Sequence, residues 1–341
     1  MEAVSQVILR NHERLGDGPV LLVDMPADGL ATTLRDAGRT VRTSNQEHGP
    51  YRALSATGIV ADFETTPQAR ADETLAILRL PREKDRFAMV LHALAASLAP
   101  AARLWVVGEK RAGVNSAARL LESRFAAVSK LDSARHCSLL EARAPRTCPP
   151  FRLDDYAATF RCEIPGGALT LCALPGVFAQ GRLDDGSALL LEVLEDCQID
   201  GDVLDFACGN GVLGISLLRR PGGLRMTLLD HSALAIEAAR RSLVLNDCAG
   251  RLLASHGLDE LEGAFDWIVS NPPFHRGVDD DLDVAADFLR RAGTFLRPDG
   301  KILVVFNRHL PYERWARARF HFVDRLANSR AYTVIRASKP R

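Results

Sequence analysis

The segment that most constrains the fold is VLDFACGNGVLG, at residues 203–214. Its apolar first residues predict a short strand, and VLGISLL at 212–218 predicts the start of a helix. Gly209 and Gly211 stand in the turn between the two, where positive φ angles and close approach of the backbone to a ligand are easiest. The segment therefore predicts an α/β sheet that binds its ligand at the carboxyl edge of the strands.

Two features of this segment point to different ligands. GNGVLG satisfies the pattern G-x-G-x-x-G, and Asp230 closes the next apolar run, where its carboxylate would accept ribose hydroxyls, as in a nicotinamide dinucleotide site. Asp205, four residues before the first glycine, would instead repel a pyrophosphate and attract a cation. S-adenosylmethionine carries an ammonium and a sulfonium and no phosphate. The loop therefore favours S-adenosylmethionine over a dinucleotide.

A second motif, FDWIVSNPPFHRG at 265–277, indicates the chemistry. Its apolar strand ends in Asn271, Pro272, Pro273 and Phe274, and the two prolines remove two N–H donors. The side-chain oxygen of Asn271 and the carbonyl of Pro272 can then accept from one planar NH2 group. Phe274 offers a face on which a base can stack, worth ~1–3 kcal/mol. The motif predicts an enzyme that holds an exocyclic amine for methyl transfer.

The length of 341 residues predicts two domains. The Pro- and Ala-containing segment APRTCPP at 144–150 interrupts the periodicity, so we expect domains at 1–147 and 151–341. Apolar segments on both sides of PGG at 165–167 predict a β-hairpin. Strands and helices then alternate to the end of the chain, which predicts a doubly wound α/β sheet.

The first half shows a similar alternation without the chemical motifs. Residues 124–142 align on 319–337, and this alignment places Phe125 on Phe320. We therefore predict a duplicated domain whose first copy has lost its cofactor site and serves in substrate recognition or support. Three apolar runs in this half are expected to be strands: VLLVDM (20–25), FAMVLHAL (87–94) and RLWVVGE (103–109).

Composition excludes several classes of protein. The formal net charge is zero, so nucleic-acid binding would have to be local. The seven cysteines form no C-x-x-C pair, which argues against a disulfide framework or a zinc site. No signal peptide is evident, and no apolar run approaches the ~20 residues that span a bilayer. We expect a soluble, cytoplasmic, metal-free monomer.

The C-terminal segment 300–341 is strongly basic. It holds ten lysines and arginines against two acidic residues, a net charge of +8. A phosphate-binding surface beside the active site and a solvated helix face with a charged tail both account for this composition.

The sequence resembles class I S-adenosylmethionine-dependent methyltransferases and, within them, the ribosomal RNA small subunit methyltransferase C family. The resemblance rests on LDSARHCSL in the first half and on LPGVFAQGRLDDGSALLL, LDFACGNGVLG, SNPPFH and NRHLPY in the second. It implies a seven-stranded Rossmann-like catalytic domain preceded by a related, degenerate methyltransferase-like domain. It also implies N2-methylation of a guanine in helix 34 of 16S rRNA within the 30S subunit.

The resemblance carries roles for individual residues. Cofactor contacts would come from the glycine loop, from the ribose-binding acid and from the segment before the loop: Asp205, Ala207, Gly209, Gly211, Asp230, Phe178, Gly186 and Ser187. The target guanine would be held by Asn271, Pro272, Pro273 and Phe274. One residue departs from the pattern, because His256 stands where related enzymes often place Asp or Asn to bind the adenine amine.

Four alternatives stay open on the sequence. A large-subunit rRNA guanine-N2 methyltransferase shares nearly every motif. A protein glutamine-N5 methyltransferase also uses Asn-Pro-Pro before an aromatic residue, but it usually has Tyr there and a small helical N-terminal domain. The other two are a nicotinamide-dependent oxidoreductase and a catalytically inactive RNA-binding protein.

Overall fold

The computed structural model describes residues 1–179, 181–272 and 286–340. Across these residues the chain divides into two compact units, Met1–Tyr156 and Ala157–Arg341. Both are α/β units built on a mixed sheet with helices on its faces. The predicted fold class is therefore confirmed.

The first unit contains strands β1–β7 and helices α1–α5. The strands are β1 (Val20–Val23), β2 (Val41–Asn45), β3 (Val60–Phe63), β4 (Leu75–Arg79), β5 (Arg103–Glu109), β6 (Phe125–Ala134) and β7 (Cys137–Pro145). The helices are α1 (Ala3–Arg10), α2 (Leu30–Asp36), α3 (His48–Ala56), α4 (Lys84–Ser97) and α5 (Val114–Arg124). Short 3-10 helices occupy His12–Arg14, Lys110–Ala112 and Leu153–Tyr156.

The second unit begins with a hairpin and continues as a second sheet. Its strands are β8 (Ala158–Ile164), β9 (Gly167–Ala173), β10 (Asp202–Phe206), β11 (Arg225–Asp230), β12 (Arg251–Ala254), β13 (Phe265–Ser270), β14 (Leu296–Asn307), β15 (Phe320–Asn328) and β16 (Tyr332–Pro340). Its helices are α6 (Asp185–Glu195), α7 (Val212–Leu218), α8 (Ala233–Leu245) and α9 (Tyr312–Arg317). Residues 286–291 are also helical, and a 3-10 turn follows at Ala292–Phe295.

The two main sheets have the same strand order. Within the described residues, each has seven strands, in the orders β3-β2-β1-β4-β5-β7-β6 and β12-β11-β10-β13-β14-β16-β15. The first five positions in each order are parallel, and the last two neighbours pair antiparallel. Phe125 and Phe320 each begin the strand at the edge of their sheet, as the sequence alignment placed them. The internal similarity therefore extends to topology.

The side chains of β10 point alternately to the two faces of the second sheet. Val203 packs in the core beneath α6, α7 and α8, whereas Leu204 packs in the core of the opposite face. Asp205 points to the same face as Val203, because side chains alternate along a strand. Phe206 points to the other face, where its ring stacks on Phe288 with centroids 4.2 Å apart. The strand thus directs the acidic side chain of Asp205 toward α7.

The expected strand at 87–94 is wrong. These residues lie inside the helix α4, which spans Lys84–Ser97. Phe87 and all residues from Met89 to Ala95 are buried, so the helix presents almost no polar face. An apolar run without a polar face lacks the 3.6-residue period that identifies a helix in sequence. The runs at 20–25 and 103–109 do contain β1 and β5.

The hairpin predicted around residues 165–167 is confirmed by the antiparallel pairing of β8 with β9. It docks on α8 through polar contacts as well as apolar ones. The Cys172 N–H donates to Ser242 Oγ at 2.9 Å, and the Thr170 N–H donates to Asn246 Oδ1 at 3.0 Å. In the described part of the chain, no helix has the length and apolar composition needed to cross a membrane.

Candidate active site at the carboxyl edge of the second sheet

Three parallel strands bring the predicted site residues to one edge. β10 lies between β11 and β13, and Phe206 is paired with Leu229 on one side and Ser270 on the other. The Ser270 hydroxyl donates to the Phe206 carbonyl at 2.7 Å, which holds the ends of β10 and β13 together. The glycine loop and Asn271 directly follow β10 and β13, and Asp230 is the last residue of β11. The structure therefore assembles the loop, the acid and the Asn-Pro motif at a single edge.

The glycine loop is built from residues with left-handed backbone. Ala207, Gly209 and Gly211 have φ angles of +58°, +55° and +85°. A Cβ on Gly211 would lie 3.1 Å from both Ile215 Cδ1 and Leu228 Cδ2, whereas a Cβ on Gly209 would meet nothing within 4 Å. Gly211 is therefore required by packing, and Gly209 faces open space at the edge where a ligand would bind.

This difference predicts different effects of alanine at the two positions. Gly211→Ala should lower the free energy of unfolding by about 2–4 kcal/mol, because left-handed strain adds to overpacking. Gly209→Ala should cost about 1 kcal/mol from backbone strain alone. Urea unfolding measures both values. Equal losses for the two variants would contradict the packing role of Gly211.

Asp205 is completely buried beneath the loop. Its Oδ2 accepts a hydrogen bond from the Gly214 N–H at 2.8 Å, in the first turn of α7, and its Oδ1 has no partner among the described residues. Burial raises the pKa of Asp205 to about 7; the Gly214 N–H opposes the increase and the nearby Asp230 carboxylate adds to it. A buried carboxylate oxygen without a donor costs about 1–3 kcal/mol. A positively charged ligand would offset this cost.

Asp230 ends β11 and closes the other side of the loop. Its Oδ2 accepts from the Gly209 N–H at 2.9 Å, and its Oδ1 accepts from the Ser232 N–H at 3.0 Å. These bonds hold the carboxylate against the loop and fix the backbone of Gly209. Cys208, between the two acids, is buried, and burial raises the pKa of its thiol well above the usual value. The thiol therefore stays protonated and is not a nucleophile at neutral pH.

Asn271 is held by the N-terminus of α6. Its Nδ2 lies 3.0 Å from Asp184 Oδ2 and 2.8 Å from Ser187 Oγ. Asp184 is the N-cap of α6, where the same oxygen accepts from the N–H groups of Gly186 and Ser187. A Cβ on Gly186 would lie 3.1 Å from the Tyr332 ring, so a larger residue here would require the ring to shift. Gly186 and Ser187 are thus brought to Asn271.

Sequence reasoning missed Asp184. It selected Gly186 and Ser187 from the segment before the loop and passed over the acid two residues earlier. One signal was present, since an Asp directly before an apolar helical run is a strong N-cap. Its hydrogen-bond partner Asn271 is 87 residues away in sequence, so no local pattern indicates the contact.

The remaining predicted residues vary in their placement. Phe178 is 52% exposed in the segment between β9 and α6, and its cofactor contact stays a prediction. His256 follows β12 and is exposed. Pro272 is buried directly after Asn271. Pro273 and Phe274 lie outside the described residues.

Asp205 and Gly209 together fit S-adenosylmethionine. The cofactor carries an ammonium group, and Asp205 offers a buried carboxylate oxygen that lacks a donor within the described chain. Gly209, whose N–H bonds Asp230, has an open side at the same edge of the sheet. Asp230 is placed at the end of the adjacent strand, where a ribose could share its oxygens. The residues present therefore fit the cofactor that the sequence predicted.

The equivalent edge of the first unit is built differently. Asp24 follows β1 with a φ of +51°, as Ala207 follows β10. Leu22, two residues before Asp24, stands where Asp205 stands, and Asn45 ends β2 where Asp230 ends β11. The Asp24 carboxylate is bonded within the unit, at 3.1 Å from Arg86 Nη2 and 2.8 Å from the Gln46 N–H.

The basic C-terminal segment is partly paired with its two acidic residues. Among the described residues, Arg317 and Arg325 bind Glu313, and Arg336 binds Asp324. Lys301 lies over the Trp267 ring and Lys339 over the Phe322 ring. The excess of positive charge is therefore partly used within the fold.

Family models match both units. A model described as "Methyltransferase small domain N-terminal" matches residues 5–160, and one described as "Methyltransferase small domain" matches residues 168–336. The boundary between the two matches lies in the same region as the division between the compact units.

Several curated relatives match over nearly the whole chain. The ribosomal RNA small subunit methyltransferase C of Pseudomonas entomophila is 38% identical over 99% of this chain and 100% of the relative. The protein of the same name from Shewanella loihica is 33% identical over 97% of each chain. A solved structure of the T. thermophilus 16S rRNA N2 methyltransferase, in complex with AdoMet and guanosine, has a TM-score of 0.88. It is 26% identical and covers 99% of this chain and 92% of that one.

Proposed function

Because the chain belongs to the ribosomal RNA small subunit methyltransferase C family, we propose that its target is the exocyclic N2 amine of a guanine in the 30S subunit. It is an S-adenosylmethionine-dependent enzyme that methylates guanine in 16S rRNA. A nicotinamide-dependent oxidoreductase, open on the glycine pattern alone, is thereby excluded. The observation that carries the proposed site is the grouping of Asp205, Asp230 and Asn271 at the ends of three neighbouring strands.

The cofactor would be held by the loop residues and the two acids. Asp205 would receive the ammonium group on its unpartnered Oδ1 and so become ionised in the complex. Asp230 would accept the ribose hydroxyls, while Ala207, Gly209 and Gly211 shape the backbone between the acids. Phe178, Gly186 and Ser187 would close the site from the segment before the loop. When bound, S-adenosylmethionine supplies an electrophilic methyl group on its sulfonium.

Asn271 and the prolines would hold the target base. The Asn271 oxygen and the Pro272 carbonyl would accept from the two hydrogens of the guanine amine. Accepting both hydrogens favours a pyramidal nitrogen and returns its lone pair, which is otherwise delocalised into the ring. A strong base is then not needed before attack, and the proton can leave after transfer. Pro273, whose ring restricts φ, and Phe274, on which a base can stack, would complete the set of residues that hold the base.

Positioning would supply most of the acceleration. Orienting two reactants can contribute roughly 7–11 kcal/mol to lowering a barrier. A target base inside folded RNA must also leave its stack, which costs a few kcal/mol. We propose that the target guanine lies in helix 34 of the assembled subunit and that a monomeric, cytoplasmic enzyme acts on it.

The first unit would act in substrate recognition or support. Three features of the second unit's site are changed in it: Leu22 replaces the buried acid, Asn45 replaces the ribose acid, and Arg86 bonds the strand-end carboxylate. The Arg86 guanidinium pairs with the Asp24 carboxylate, which stands where Ala207 stands in the second unit. We infer that this unit arose by duplication and holds no cofactor.

Methyl transfer to separated substrates tests the proposed function. Labelled S-adenosylmethionine should methylate 30S subunits that lack the modification, and mapping should place the label on N2 of one guanine in helix 34. Transfer to 50S subunits instead would support the large-subunit alternative. Equal transfer to naked 16S rRNA and to 30S subunits would contradict the requirement for the assembled subunit.

A further inference from the structure

The side-chain amide of Asn271 can adopt two orientations, and only one of them suits the proposed target. The two ends of an asparagine amide have nearly the same shape but opposite hydrogen-bonding character. Holding a guanine amine requires the oxygen end to face the base. With the amide turned over, two N–H donors would face the two N–H donors of the target.

Asp184 determines the orientation of the Asn271 amide through hydrogen bonding. A carboxylate has no proton to donate, so only the nitrogen end of Asn271 can face it at the observed 3.0 Å. Ser187 Oγ accepts a hydrogen bond from the second N–H of the same nitrogen at 2.8 Å. With both donors engaged, Oδ1 is the end of the amide that can accept from a ligand.

Asp184 is itself rigidly held. Its Oδ2 receives the N–H groups of Gly186 at 2.9 Å and of Ser187 at 3.1 Å, at the positive end of the α6 dipole. α6 packs against β14 and β16, and Gly186 allows its first turn to lie against Tyr332. The orientation of Asn271 is therefore tied to the body of the sheet.

We propose that Asp184, assisted by Ser187, is a positioning residue that locks the amide of Asn271 with its oxygen toward the target amine. This inference rests on the proposed role of Asn271. It assigns Asp184 a function in the methyl-transfer step in addition to its structural function as a helix cap.

Substitutions at Asp184 separate the two functions. Asn and Ser are both good N-caps, so a purely capping role predicts equal rates for Asp184→Asn and Asp184→Ser. Asn retains a carbonyl oxygen at the position of Asp184 Oδ2 that can accept from Asn271, whereas the serine side chain is one atom shorter and does not reach Asn271. We expect Asp184→Ser to lower the single-turnover rate of methyl transfer to 30S subunits about tenfold, at saturating cofactor. Asp184→Asn should lie between wild type and Asp184→Ser.

The matched control is Asp185→Ser, the same change one residue later. Asp185 is exposed in the first turn of α6, and this variant should keep the wild-type rate. Thermal unfolding followed by circular dichroism confirms that all variants are folded under the assay conditions. Equal rates for the Asn and Ser variants, or a wild-type rate for Asp184→Ser, would overturn the proposal.

A double-mutant cycle with Asn271→Ala shows whether Asp184 acts through Asn271. If it does, adding Asp184→Ser to Asn271→Ala should not lower the rate further. A further tenfold loss would mean an independent structural effect and would overturn the proposal. A wild-type rate for Asn271→Ala would overturn the grip itself and this inference with it. A wild-type enzyme inactive on 30S subunits would count against the proposed substrate.

Discussion

Asp205→Asn should weaken cofactor binding about 100-fold or more without unfolding the protein. The variant is expected to bind S-adenosylhomocysteine, which carries the same ammonium group, about 100-fold more weakly or worse. Removing one partner of a buried charged pair typically costs 3–5 kcal/mol, which corresponds to about this factor or more. The amide of the variant can still accept from the Gly214 N–H, so the first turn of α7 keeps its hydrogen bond. Isothermal titration calorimetry measures the affinity.

Asp202→Asn is the matched control, because Asp202 begins the same strand and is paired with Arg225 and Arg297. It should retain wild-type affinity within about threefold, below the 1.4 kcal/mol that a tenfold change requires. The titration also tests the first unit. Wild type should bind one cofactor per chain, and Asp205→Asn should retain no site of wild-type affinity. Residual binding of one equivalent by the variant would indicate a second site and would contradict the proposed loss of function in the first unit.

The raised pKa of Asp205 gives this binding a pH dependence. Its folded-state pKa of about 7 lies above the ordinary value of 3.8, because burial disfavours the charged form. The neutral carboxyl therefore stabilises the unliganded fold at low pH, and this contribution is lost as pH rises through about 7. The proposed contact with the cofactor's ammonium group needs the ionised carboxylate, so affinity should fall about tenfold per unit below pH 7. Asp205→Asn should show neither dependence, and a flat wild-type profile between pH 5.5 and 8 would contradict this account.

Asn271→Ala should slow methyl transfer about 100-fold to 1,000-fold while leaving the cofactor bound. Loss of one oriented group at the reacting centre typically lowers a rate by about 100-fold to 1,000-fold. Within the described residues the side chain bonds to Asp184 and Ser187 and not to Asp205 or Asp230, so affinity for S-adenosylhomocysteine should change less than about threefold. Single-turnover transfer to 30S subunits measures the rate. A near-normal rate would show that Asn271 does not hold the target amine.

The glycine loop illustrates what a pattern in sequence can establish. GNGVLG matches a dinucleotide signature, yet the structure gives its two loop glycines separate tasks: packing for Gly211 and an open face for Gly209. The pattern correctly predicted the strand, the turn and the helix, because these depend on local backbone preferences. The companion acid Asp205 indicated the cofactor class. The burial and raised pKa of Asp205 depend on α7 and Asp230. The motif alone does not predict them.

The first unit shows what the sequence does not reveal about a site that lacks the motifs. Its sequence showed that the glycine loop and the Asn-Pro motif were missing. It did not show that Arg86, 62 residues after Asp24, bonds the carboxylate at the strand end. The helical assignment of 87–94 was missed for a related reason, because burial on nearly every side of α4 is a property of the packed unit.

The sequence by itself determined the types of most elements, the positive-φ turns, the acids at the strand ends and the family. All of these features depend on short segments of the sequence, because side-chain periodicity and backbone preference act between near neighbours. The tertiary structure decided which side chains meet. Asp184 and Ser187 reach Asn271 across 87 and 84 residues because α6 packs on the sheet beside the end of β13. A hydrogen bond of 3 Å depends on that packing, and no window of sequence contains it.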